Sequence, residues 1–181
     1  FALDGNLEVK PQMVDKWTTS PDGLTWTFTL RDGLEFHDGA PVTSEDVIAS
    51  LKRWAQRDSM GQKMAASLAE YKVVDGKTFQ IVLKEKFGPL LEALGKPSVV
   101  VPFVYPKAAA EAQDAFKQSD NVIGSGPFMF KKDEWKPGEK TVYVKNPKYK
   151  PRPEPQSGLA GGKVVKLDRV EWVWIPTPRP R

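Results

Sequence analysis

The chain has 181 residues, 40% of them apolar, with six Trp, one His, no Cys and a formal net charge of +4. That length gives room for one ordinary domain, and the apolar share argues for a packed core rather than disorder. Without Cys there are no disulfides, thiol nucleophiles or thiolate metal sites, and a lone His37 cannot build a His-based metal centre or dyad; no cofactor and no metal are expected.

The chain opens at Phe1 with neither Met nor a basic and apolar leader, so an export signal is expected to lie outside this sequence. Five Asp-Gly pairs (Asp4-Gly5, Asp22-Gly23, Asp32-Gly33, Asp38-Gly39 and Asp75-Gly76) each predict a turn with positive φ. Between the second and third, Thr alternates with Leu, Trp and Phe over Leu24 to Leu30, the period of a half-buried strand. The clearest helix starts after Thr43, with Asp46 completing a capping box and Val42 and Val47 forming a staple. Val47, Ile48, Leu51, Trp54 and Ala55 form its apolar stripe.

Weaker helices are predicted at Gln62–Ala69, Pro89–Leu94 and Lys107–Phe116. A hairpin is predicted from Tyr71–Val74 and Thr78–Leu83, and further strands at Pro127–Lys131, Thr141–Val144 and Lys166–Ile175. The longest apolar run, Val99 to Tyr105, falls far short of the ~20 residues that span a bilayer. From Asn146 to Gly162, Pro and Gly dominate, which predicts an exposed loop. An apolar strand then runs to Ile175 and the sequence stops, so the natural protein is expected to continue. This alternation without a strict βαβ rhythm predicts an α/β (mixed α+β) fold, a mixed sheet with helices packed on it.

Charge is uneven. Residues 1–130 hold 14 basic and 17 acidic side chains; residues 131–181 hold 13 and 6. The basic residues are interleaved with Pro rather than clustered, which favours a solvated face or half of an interface over nucleic-acid binding.

No catalytic constellation survives inspection. Gly76-Lys77-Thr78 ends like a phosphate loop, but Tyr71 stands where its first Gly is needed. Gly124-Ser125-Gly126-Pro127 lacks the third Gly of a dinucleotide fingerprint, and Ser125 has no base beyond the turn residue His37, which reads best as a local backbone cap. Carboxylates abound and five of them precede Gly in turns, and no acid–base pair can be nominated among them.

Three ordered motifs carry a resemblance. The stretch Leu24-Thr25-Trp26-Thr27-Phe28-Thr29-Leu30-Arg31-Asp32-Gly33, then Phe36-His37-Asp38-Gly39-Ala40-Pro41-Val42-Thr43, leads into the helix through Arg53-Trp54. Ile123-Gly124-Ser125-Gly126-Pro127-Phe128 follows, and then Asn146-Pro147-Lys148-Tyr149 with Leu167-Asp168-Arg169-Val170 and Ile175-Pro176. Together they resemble the family 5 extracellular solute-binding proteins, the oligopeptide-, dipeptide- and nickel-binding components of ABC importers. Ser125 stands where that family usually has Thr.

The resemblance implies part of lobe I of a type II (class C) periplasmic binding protein, spanning 1–181 with an exposed loop at 146–162 and no second lobe. It implies a non-enzymatic importer component, periplasmic or tethered to the cell surface, that captures a peptide or other small solute and delivers it to a membrane permease. First-lobe contacts in the family suggest Ser59, Met60, Gln62 and Met64 and then Ser98, Val99 and Val100 as ligand-binding residues; the two Met could equally be core filler. The missing second lobe is an expected partner, and a lone lobe is expected to self-associate. Two other readings remain: a stand-alone protein-interaction module reusing this half-lobe, and a weak nucleic-acid binder through the basic C-terminal third.

Overall fold

A computed structural model describes residues 1–112 and 114–175. Position 113, inside the predicted Lys107–Phe116 helix, and the Pro176–Arg181 end, including Pro176 of the last motif, lie outside them. Ala2–Leu3 (β1) pairs with Val9–Lys10 (β2) in a small ribbon. Val14–Thr19 (β3), Thr25–Leu30 (β4), Leu68–Val73 (β5) and Thr78–Leu83 (β6) form a sheet in the order β3-β4-β6-β5. Phe128–Phe130 (β7), Lys140–Lys145 (β8) and Arg169–Val173 (β9) form a third, in chain order. The helices are Ser44–Arg57 (α1), Ser59–Ala66 (α2), Leu90–Gly95 (α3) and Lys107–Glu111 (α4).

The α/β class holds, but the sheet is not mixed: every strand pairing among the described residues is antiparallel. The reason is topological. The α1–α2 crossover returns β5 in the direction of β4, and β6 then folds back into the gap between them, antiparallel to both.

Helix α1 forms as its sequence predicts. The Thr43 N–H donates to the Asp46 carboxylate at 2.8 Å while the Thr43 hydroxyl accepts from the Asp46 N–H. Val47, Ile48, Leu51, Trp54 and Ala55 are all buried. They join Phe28, Phe79, Ile81, Met64 and Leu90 in the main core, where Phe28 and Phe79 stack at 5.2 Å.

Helix α2 departs from expectation, starting at Ser59 and ending at Ala66. Asp58 caps it immediately after α1, and Leu68 is drawn into β5 by pairing opposite Leu83. Helix α4 is also shorter than predicted, and the Asp114 side chain instead accepts from the Phe116 N–H in a turn. Of the five Asp-Gly turns, Gly23, Gly33 and Gly39 take positive φ, while Gly5 and Gly76 do not. At the last, the Asp75 carboxylate closes the turn itself by accepting from Lys77 and Thr78 N–H, both at 2.8 Å.

The 146–162 segment is exposed over most of its length and is anchored at a few points, as a strap. Asn146, Arg152 and Ala160 to Gly162 are buried, although the prolines between them stay at the surface. Covered backbone needs hydrogen-bond partners, and the N-terminal segment supplies them. Leu159 N–H donates to Leu3 O at 2.9 Å, Gln12 Nε2 to Gly161 O at 3.1 Å, and Arg152 to Val14 O at 2.8 Å. Charge also crosses to the strap: the Asp32 carboxylate is held below its usual range by Lys77 of the front segment and, more weakly, by Lys150 of the strap.

Candidate functional site

Two of the expected ligand-binding segments meet at the corner between α1 and α2. Asp58 is both the C-cap of α1, donating its N–H to Trp54 O at 3.0 Å, and the N-cap of α2, accepting from Met60 and Gly61 N–H, each at 3.0 Å. Its buried carboxylate also takes an ion pair from Lys96 Nζ. Burial pushes this carboxyl up, but Lys96 and the two N–H donors outweigh it and hold it below the usual Asp range. The following segment is fixed by Trp54 Nε1, which donates to Val100 O at 2.8 Å.

On this frame Ser59 and Gln62 are exposed, and Gln62 Nε2 donates to Gln56 O. Met60 is partly buried against the core. Met64 is withdrawn from the candidate set: its side chain is fully buried in the main core. Ser98 is exposed and Val100 half-buried. Val99 is 83% exposed at a φ of 62°, a left-handed conformation that costs a β-branched residue.

Beside this corner lies a cavity of about 650 Å³. Lys96 and Pro97 reach its lining, whereas Ser59, Met60, Gln62, Met64, Ser98, Val99 and Val100 do not. Its apolar walls include Met13, Leu34, Phe103, Phe128 and Tyr143, and its polar lining includes Gln12, Arg31 and Lys163. Arg31 donates from Nε to Gln12 O at 3.1 Å and lies 6.0 Å from the Tyr149 ring centre. Burial lowers the pKa of both Arg31 and Lys163.

Sequence reasoning missed these polar residues. Arg31 had a signal, as a cation at the end of a buried strand inside the first motif. Lys163 had none, since only the fold of the strap brings it there.

His37 also differs from expectation. It caps distant backbone, not its own turn: its N–H donates to Gly124 O at 2.8 Å, and its Nδ1 accepts from Gly124 N–H at 3.2 Å. With Nδ1 an acceptor, Nε2 carries the proton and donates to Gly126 O at 3.1 Å. His37 thus sets the wall of the cavity formed by residues 124–127, and Ser125 lies on that wall without a base. Among the described residues no group of three or more His, Asp or Glu side chains is placed to hold a metal.

Residues 8–181 match the family described as "Bacterial extracellular solute-binding proteins, family 5 Middle". The chain belongs to this family. It is 44% identical over 175 residues to the "Probable peptide ABC transporter periplasmic-binding protein y4tO" of Sinorhizobium fredii (strain NBRC 101917 / NGR234), covering 95% of this chain and 32% of that protein. It is 35% identical over 150 residues to the "Probable D,D-dipeptide-binding periplasmic protein DdpA" of Escherichia coli (strain K12), covering 80% of this chain and 28% of that protein.

Among solved structures, the periplasmic binding protein DppA of Helicobacter pylori in complex with the peptide STSA superposes with a TM-score of 0.69 at 24% identity, over 97% of this chain and 36% of that one. NikZ of Campylobacter jejuni in complex with Ni(L-His) gives 0.70 at 24% identity, over 96% and 32%. These likenesses show the fold, that of type II periplasmic binding proteins. The chain spans about a third of the length of the relatives it matches.

Proposed function

We propose that the chain is part of the first lobe of a two-lobed periplasmic solute-binding protein, which captures a peptide and delivers it to an ABC permease without breaking a bond. The observation that carries this reading is the 44% identity to a relative named as a peptide ABC transporter component, spread over 95% of the chain. Capture would follow from closure of a second lobe over the solute, a shift toward a state whose contacts exist only when ligand is present. Ser59, Met60, Gln62, Ser98, Val99 and Val100 are the residues proposed to face that closing lobe. Val99 is the strongest of them, since exposure and a costly backbone conformation coincide there without any packing gain.

The test is genetic. Disrupting the gene that carries this sequence should abolish growth on a peptide that serves as sole nitrogen source, and the intact gene should restore it. Unchanged uptake across di-, tri- and oligopeptides would sink the reading.

A further inference from the structure

We propose that the 650 Å³ cavity holds the C-terminal end of a short peptide, with its carboxylate between Arg31 and Lys163 and an apolar side chain against Phe103, Phe128 and Tyr143. This deepens the reading above and rests on it for the ligand class; the charge and polarity of the ligand come from the cavity alone.

Charge gives the first argument. The lining includes Arg31, Lys96 and Lys163 and no Asp or Glu. The Lys96 ammonium is already matched by the buried Asp58 carboxylate. Glu154, an acid that acts on Arg31, is engaged by Arg152 through two hydrogen bonds at 3.0 and 2.7 Å. Lys163 donates to Leu159 O at 2.9 Å, a neutral acceptor that leaves its charge uncompensated. Two half-buried cations without a carboxylate partner among the described residues favour an anion, because burial has stripped part of their water without a counter-charge there to replace it.

The remaining lining narrows the anion. The walls are chiefly apolar, and the volume falls in the ordinary range for small-molecule sites. That excludes inorganic phosphate as the best fit and asks for an apolar body. Gln12, on the same lining, has its Oε1 buried and without a hydrogen-bond partner, while its Nε2 is used on Gly161 O. An unpartnered acceptor on the lining, in a residue that Arg31 contacts, suits a ligand that carries an N–H close to its carboxylate. A peptide C-terminus has that N–H, that carboxylate and an apolar side chain on the same residue.

The test is calorimetry on the 181-residue chain with three probes: N-acetyl-Leu-Phe as the free acid, its C-terminal amide, and inorganic phosphate. The acid should bind about tenfold or more tighter than the amide, the loss expected when one charge-assisted contact is removed, and phosphate should bind weakly. Lys163→Gln should lower affinity for the acid several-fold and leave the amide unchanged; it disturbs only one carbonyl contact, so it should fold. Arg31→Gln should have the larger effect, with circular dichroism checking that its lost bond to Gln12 O has not unfolded the chain.

Equal affinity for acid and amide, an acid preference left undiminished by Lys163→Gln, or no binding of the acid at about 10 mM would each overturn the proposal. If acid preference is found while peptide uptake survives gene disruption, the importer reading fails and this one stands. If uptake is lost but acid and amide bind alike, the reverse holds.

Discussion

His37 and Gly124 hold each other by two reciprocal hydrogen bonds across 87 residues of chain, backbone N–H to carbonyl at 2.8 Å and backbone N–H to imidazole Nδ1 at 3.2 Å. The pair joins the Asp-Gly turn that follows β4 to the segment leading into β7. It accepts only one neutral tautomer of the ring. Since the chain has a single His, nitrogen NMR should show one imidazole with its proton on Nε2 at alkaline pH. His37→Phe should cost about 1–3 kcal/mol in urea unfolding, because Gly124 N–H and Gly126 O lose a partner. A proton found on Nδ1 would contradict the geometry.

The Asp58–Lys96 pair predicts a pH signature. Asp58 has a depressed folded-state pKa, so its contribution is fully present above the unfolded value near 4 and is lost as pH falls through the folded one. Lys96→Met leaves a carboxylate that is almost wholly buried with no counter-charge, at a cost of about 3 kcal/mol at neutral pH. The deficit relative to the parent chain should close as pH drops below about 4, because protonation removes the charge that Lys96 pairs. A deficit that stayed constant with pH would show that Lys96 acts through packing alone.

Two glycines with almost the same φ separate conformational strain from close approach. Gly138, at a φ of 75°, has open space where a Cβ would stand, so Gly138→Ala should cost about 1 kcal/mol from backbone strain. At Gly161, with φ of 81°, a Cβ would lie 2.2 Å from Pro155 O, and Gly161→Ala should cost about 3 kcal/mol or more. Thermal or urea unfolding of both variants checks the ranking, and equal losses would mean that the strap is not packed as described.

The edge strand β9 predicts association. Trp172 is 70% exposed, and Val173, Trp174 and Ile175 are exposed beside it. An unpaired edge carrying such side chains is a surface for pairing with a second chain. Sedimentation should give a mass above that of the monomer, rising with concentration, and Trp172→Thr with Trp174→Ser should return it to the monomer. A monomeric parent chain would refute this.

Helix α1 was legible because its information is local: a cap three residues from its partner, and an apolar stripe at helical spacing that any core would bury. The hairpin of β5 and β6 was legible for the same reason, up to the start of β5. Strand β3 was not, because Val14–Thr19 alternates weakly and becomes a strand through its pairing with β4. Of the expected site residues, Met60 and Met64 show the limit most directly. Both look adaptable in sequence, yet one lies partly against the core and the other wholly inside it, and that difference depends on which face of α2 packs inward.

By itself, then, the sequence determined the elements whose signals fit within a few residues, the absence of thiol chemistry, and through three ordered motifs the family. Only the tertiary structure decided the rest: that the sheets are antiparallel, that the Pro-rich segment is a strap, that His37 reaches Gly124, and that Arg31 and Lys163 share a cavity with Gln12. Apart from the local hairpins within the sheets, these depend on contacts between residues dozens to more than a hundred positions apart. Such contacts are chosen by how the whole chain closes its core and satisfies its buried polar groups, and no local window contains them.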